Sequence, residues 1–204
     1  MSKDMLKTGL FLFVVAAISG ILLAFTQNLT APVIEKNQKE LEEKAQNKVL
    51  PSFRFSEELT SEKDGKKITY KVGYDRKGDI TGAIFKVAPK GFGGQIHTMV
   101  GIDKDGRVVN YEILSLTETP GLGNKLKSDD FSNRFRKLLQ SENLSEFKVV
   151  KDGGKVDAIT AATISSRAFC SGIQEAHDTF KNYKELILAN KFNPSNKANE
   201  GGAK

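Results

Sequence analysis

The sequence predicts an α+β fold: one N-terminal transmembrane helix followed by a single domain with an antiparallel sheet and packed helices. Three observations predict it. No charged residue occurs from Thr8 to Ile34. Short β-rich stretches separated by turn signals fill the middle of the 204-residue chain. A long segment after Thr163 repeats apolar residues at helical spacing. The composition agrees, because 39% hydrophobic and 27% charged residues exclude wholesale disorder. A mean hydropathy of −0.36 excludes a polytopic membrane protein.

The first element is the apolar run. At ~1.5 Å per residue, a helix from Thr8 to Gln27 is roughly 30 Å long, one hydrocarbon thickness. A cleaved signal peptide is the rival reading. It calls for a shorter apolar core and a small-x-small cleavage site, which Phe25-Thr26-Gln27-Asn28-Leu29 does not supply. Residues 1–34 therefore read as an uncleaved membrane anchor. Lys3 and Lys7 precede the span and Lys36, Lys39, Lys44 and Lys48 follow it. The positive-inside rule applies to short loops, so charge leaves the orientation open.

Residues 35–52 read as a juxtamembrane helix or linker, either continuous with the span or bent at Pro32: Glu35 to Leu50 is rich in helix formers with mixed charge and Pro51 stops it. A solvated spacer is the alternative. Residues 53–190 form the globular part. Strands are expected at Ile68–Tyr74, Ile80–Val87, His97–Ile102, Arg107–Leu116 and Glu146–Val150. The turns between them include Lys77-Gly78-Asp79, Gly91-Phe92-Gly93-Gly94 and Asp103-Lys104-Asp105-Gly106. Asp129 to Gln140 reads as a helix capped by Ser128, with Asp129 and Asp130 favourable in its first turn. After Thr163, Phe169, Ile173, Ala176, Phe180, Tyr183 and Ile187 form one buried stripe. Residues 191–204 are polar and breaker-rich, a tail expected to be disordered.

One cysteine, Cys170, excludes an intramolecular disulfide and any cysteine-built zinc or iron–sulfur site. With only His97 and His177 besides, no metal site is expected, and redox chemistry would need a borrowed cofactor. Cys170 reads as a packing residue and His177 as a surface helix residue. The formal charge is +6, but acidic and basic residues are interspersed and no basic-aromatic platform appears, so nucleic acid is not expected. Membrane phospholipid is the better use of the basic excess.

The segment Asp157-Ala158-Ile159-Thr160-Ala161-Ala162-Thr163-Ile164-Ser165-Ser166 places four hydroxyls in seven positions where the long helix begins. The first amides of a helix have no intrahelical partner and carry the positive end of its dipole, so an anion such as a phosphate suits that end. An ordinary Ser/Thr cap is the plainer reading of the same residues.

The pattern Asp157-x-x-Thr160-x-Ala162-Thr163, followed by Ser165-Ser166, resembles the flavinylation motif of the covalent FMN-binding domain family. Ala161 stands where that family usually has glycine. Thr117-Glu118-Thr119-Pro120-Gly121-Leu122-Gly123 resembles the family's Glu-Thr-Pro-Gly-Leu-Gly loop, and Gly91-Phe92-Gly93-Gly94 with Met99-Val100-Gly101 its upstream Gly-rich loop and strand. The N-terminal span ending in Leu29-Thr30-Ala31-Pro32-Val33-Ile34 also matches. Together these blocks cover nearly the whole chain to Asn190.

The resemblance implies that Thr163 is esterified to the phosphate of FMN by a flavin transferase that uses FAD as donor. It implies a site of Thr160, Ala162, Thr163, Ile164, Ser165 and Ser166 around the phosphate, and Glu118, Thr119, Gly121, Leu122 and Gly123 near the ring. No catalytic residue is implied, because the chain would relay electrons rather than complete a reaction alone. The family places its domain on the extracytoplasmic side of the cytoplasmic membrane, with the N-terminus inside. Such a protein serves in Rnf-type ferredoxin:NAD oxidoreductases, among further membrane and peripheral subunits, and in Na+-translocating NADH:quinone oxidoreductases. The compact length resembles the Rnf type, with the quinone-reductase type as the alternative. A membrane-anchored binding module without covalent flavin is the reading from a different class.

Overall fold

A computed structural model describes residues 3–63, 65–141, 144 and 146–190. The expected tail, 191–204, lies outside the described residues. The chain divides into two compact units, residues 1–42 and 43–204, and helix α1 (Lys3–Val49) runs through both.

Within the first unit, α1 carries no charge from Thr8 to Ile34 and is apolar on every side through its core. Leu10, Phe11, Phe13, Ile18, Ile21, Leu22, Leu23 and Phe25 are all exposed, the pattern of a helix made for a hydrocarbon solvent. Its hydroxyls are satisfied internally: Thr8 donates to the Asp4 carbonyl, Ser19 to Val15 and Thr26 to Leu22, each four residues back. Lipid offers no partner, so that self-sufficiency is what a spanning helix needs. The helix is long and apolar enough to cross a membrane. Pro32 removes one backbone donor, yet the element runs through it unbroken.

The second unit is built on an antiparallel sheet of β1 (Arg54–Phe55), β2 (Leu59–Lys63), β3 (Lys66–Tyr74), β4 (Ile80–Val87), β5 (Ile96–Asp103) and β6 (Val108–Leu116). The order is β1-β3-β4-β5-β6, with β2 also pairing β3. The helices are α2 (Asp129–Ser141) and α3 (Thr163–Leu188). Ser128 caps α2 as expected, accepting from the Phe131 amide at 3.3 Å. The region expected as a strand at 146–150 is instead a single parallel bridge, Val149 to Val156, followed by a 3-10 turn at Val150–Asp152. Gly153 at φ 81 closes that turn, and the chain cannot stay extended through it.

Both faces of the sheet are covered. Ala83, Phe85 and Val87 of β4 and Val100 and Ile102 of β5 point into the main core beneath α2 and α3, and the stripe from Phe169 to Ile187 lies in the same core. The alternate residues Ile84 and Met99 point the other way and pack on Ala45, Val49 and Leu50. The end of α1 is therefore part of the domain's packing rather than a solvated spacer. Gly101 makes this possible, because a Cβ there would collide with the Val49 carbonyl. The Lys48 carbonyl accepts from Asn110 Nδ2 at 2.9 Å, and Lys48 Nζ lies 3.2 Å from Glu112.

His177 is not a surface residue. Its side chain is 14% exposed and packs edge-on against Phe147, with ring centroids 5.8 Å apart. Cys170 is a packing residue, and burial, with Asp152 nearby, pushes its thiol up to about 12.

Candidate functional site

Three loops meet at one carboxylate. Glu118 follows β6, is 9% exposed, and receives a hydrogen bond from Ser165 Oγ at 2.8 Å and one from the Gly93 amide at 3.3 Å. Ser165 lies in the first turn of α3, and Gly93 lies in the turn before β5. Glycine is required around this clasp. A Cβ at Gly91 would collide with Glu118 Oε1, and one at Gly123 would lie 2.5 Å from Glu118 Oε2 and 2.6 Å from Ser165 Oγ. By sequence alone, Gly91 and Gly93 are a weak hairpin signal. Their role depends on Glu118, 25 residues beyond Gly93 in the chain, which local spacing does not reveal.

The four hydroxyls around the start of α3 separate into two kinds. Ser165 is committed to Glu118. Ser166 is fully buried, donates to the Ala162 carbonyl and accepts from the Ile159 amide, both at 3.0 Å. These two hold the turn onto the helix. Thr160 is exposed and Thr163 half-buried, and among the described residues neither side chain has a hydrogen-bond partner within the chain. Of these four, Thr163 is thus the available hydroxyl on the helix itself.

The expected hydroxyl cap of α3 is absent. The N-cap is Ala162, with no side-chain hydrogen bond, because the candidate hydroxyls are either turned inward or sit outside the cap position. The first-turn amides are left for another acceptor. Ala161, exposed just before this cap, has φ 61, the one positive value among described non-glycine residues. A tight turn into the helix, ending in a hydrogen bond from the Ala162 amide to the Ile159 carbonyl, forces that conformation.

The remaining predicted residues lie on the same three loops. Thr119 and Gly121 are exposed, Gly123 is buried, and Leu122 is 39% exposed. The Thr119 carbonyl accepts from the Leu122 amide at 3.1 Å, and Gly121 takes φ 76 to make that turn. Ile164 is 54% exposed and Ala162 buried. Asp157 stands apart: it is exposed, lies 3.8 Å from Arg134, and lines a separate groove of about 280 Å3 with Phe131, Phe135 and Leu138. An uncapped helix start, an available hydroxyl and small residues (Ala161, Ala162) fit a phosphate group, and the exposed Leu122 and Ile164 fit an apolar ring.

Residues 91–178 match the FMN-binding domain model, and residues 1–49 match the RnfG N-terminal region model. The three clasp loops all fall inside the first match. The G subunit of the ion-translocating oxidoreductase complex from Shewanella piezotolerans is 34% identical over 93% of this chain and 95% of its own. The chain belongs to the family of G subunits of ion-translocating oxidoreductase complexes. Other members extend the likeness. The G subunit of the Na(+)-translocating ferredoxin:NAD(+) oxidoreductase complex of Acetobacterium woodii is 31% identical, covering 88% of this chain and 93% of its own. Its counterpart in the proton-translocating ferredoxin:NAD(+) oxidoreductase complex of Clostridium ljungdahlii is 31% identical, covering 86% and 94%. Among solved structures, Shewanella oneidensis NqrC matches 65% of this chain and 70% of its own, with a TM-score of 0.48 and 18% identity.

Proposed function

We propose that this chain is the FMN-carrying electron-transfer subunit of an Rnf-type complex coupling ferredoxin and NAD to ion transport, with the flavin esterified through its phosphate to Thr163. The observation that carries the assignment is the sorting of hydroxyls. Ser165 and Ser166 are bound into the fold, while Thr163 is available at an uncapped helix N-terminus. The FMN-binding domain match and the G-type relatives support the cofactor and the complex.

Attachment exchanges one bond for another. The Thr163 oxygen forms a phosphoester, the phosphoanhydride of FAD breaks, AMP leaves, and the hydroxyl proton goes to solvent or to a base of the flavin transferase. FMN supplies the one- and two-electron chemistry that no side chain of this domain offers. The chain's own part is to position. The first-turn amides of α3 hold the phosphate, Glu118 fixes the three loops, and the ester prevents dissociation.

Residues 1–34 anchor the chain in the cytoplasmic membrane with the N-terminus inside and the domain on the extracytoplasmic side. Other membrane and peripheral subunits donate and accept the electrons, and the chain completes no reaction alone. Ion movement belongs to those subunits, because the uncharged span from Thr8 to Ile34 holds no ionisable group to carry it.

The test is co-expression with a flavin transferase, then denaturing electrophoresis and intact mass. The expected result is a band that keeps flavin fluorescence and the mass of one esterified FMN, both lost in Thr163→Ala. A dark wild-type band defeats the covalent reading, and a fluorescent Thr163→Ala band moves the attachment elsewhere.

A further inference from the structure

Phe92 is 70% exposed, yet the loop that carries it is fixed. The Gly91 amide donates to the Gly94 carbonyl at 2.8 Å, and the Gly93 amide donates to Glu118, so the backbone on both sides of the ring is held. A large aromatic side chain on a fixed loop, left in water, is the form of a preorganised contact. Two further apolar side chains are exposed on the loops that meet at Glu118: Leu122, adjacent to Gly123, and Ile164, between Thr163 and Ser165.

The chain segments that form these loops carry little charge. Residues 91–102, 119–124 and 158–166 contain no Asp, Glu, Lys or Arg, in a chain that is 27% charged. The carboxylate beside them, Glu118, is buried and turned onto Ser165 and Gly93. Three loops that meet at Glu118, exposing Phe92, Leu122 and Ile164 and carrying the available hydroxyl of Thr163, suit a flat, largely apolar ring tethered at Thr163.

We propose that Phe92 is a flavin-packing residue: it covers the isoalloxazine ring, which rests on the apolar patch completed by Leu122 and Ile164. The proposal rests on the assignment of Thr163 as the attachment point and adds the side chain that holds the ring. Aromatic packing of this kind gains from ring geometry as well as from burial. It explains why a glycine-flanked loop presents phenylalanine to solvent.

The chain contains no tryptophan, which makes a direct test possible. An indole in van der Waals contact with a flavin quenches its fluorescence by electron transfer, and a distant indole does not. Wild type, Phe92→Trp and Phe53→Trp are each co-expressed with the transferase, and emission is measured per bound flavin, before and after denaturation. Phe53 is the control, exposed beside Arg54 and Arg76 and outside the FMN-binding match. The expected result is loss of most emission in Phe92→Trp, recovered on denaturation, with Phe53→Trp as bright as wild type. A bright Phe92→Trp protein overturns the proposal and leaves the patch to a protein partner. Equal quenching in both variants also overturns it, since the effect would not be local. Absence of bound flavin in wild type would instead overturn the assignment of Thr163.

Discussion

Ser165 donates a 2.8 Å hydrogen bond to Glu118 across 47 residues of sequence, and both side chains are buried. That bond fastens the first turn of α3 to the loop after β6. A buried hydrogen bond to a charged acceptor contributes about 1.5–3 kcal/mol, and truncating the donor leaves the carboxylate with one partner fewer. Ser165→Ala should lower unfolding stability by about 2 kcal/mol, read by denaturant titration. Loss within error of zero would mean that water replaces the hydroxyl and that the clasp does not depend on Ser165.

The end of α1 is keyed to the sheet at Gly101. A Cβ there meets the Val49 carbonyl, which belongs to backbone and cannot swing aside as a side chain would. Overpacking of this type costs about 1–3 kcal/mol. Gly101→Ala should therefore destabilise the domain by that amount, in a denaturant titration of the purified chain in detergent. Thr98→Ala, on the same strand, tests whether any change in β5 does the same. An undisturbed Gly101→Ala protein would show that α1 is not held in this register.

Cys170 should behave as an inert thiol. Burial first, and the Asp152 charge second, push it from 9.0 to about 12. The folded chain then keeps a proton that the unfolded chain begins to release near pH 9. Its contribution to stability is complete below that pH and falls as the pH rises toward 12. Wild type should lose stability faster than Cys170→Ala above pH 9, and alkylation of the native thiol should require unfolding. Rapid native alkylation at pH 8 would contradict the burial.

The periodic elements were legible in the sequence because burial on one face leaves a pattern. The stripe from Phe169 to Ile187 is buried as its spacing requires, and Ile80–Val87 forms β4 with the expected ends. The two short strands before β3 were not legible. Arg54–Phe55 and Leu59–Lys63 lie along one sheet edge, where pairing with β3 rather than an apolar repeat makes them strands. The candidate site was legible as three separate motifs, each with its own local signal. Their convergence on Glu118, and the inward turn of Ser165 and Ser166, depend on long-range contacts that no window of sequence contains.

Ala161 shows how a one-residue departure acquires physical meaning. Beside the family pattern it is an extra methyl where glycine is usual. In the fold it is an L-residue held at φ 61. The left-handed conformation costs such a residue roughly 1–2 kcal/mol, and glycine occupies it freely. Glycine also gains freedom in the unfolded chain, which offsets about 0.4–1 kcal/mol of the relief. Ala161→Gly should therefore raise stability by about 0.5–1 kcal/mol. The neighbouring Ala162→Gly provides the contrast. Ala162 has φ −131 and is buried, so glycine there relieves nothing and should destabilise. Opposite signs at adjacent alanines, measured by the same denaturant titration, would locate the strain at one peptide. A destabilised Ala161→Gly protein would mean that the turn before Thr163 is not strained. The methyl at residue 161 would then be a surface difference of no consequence for the helix start.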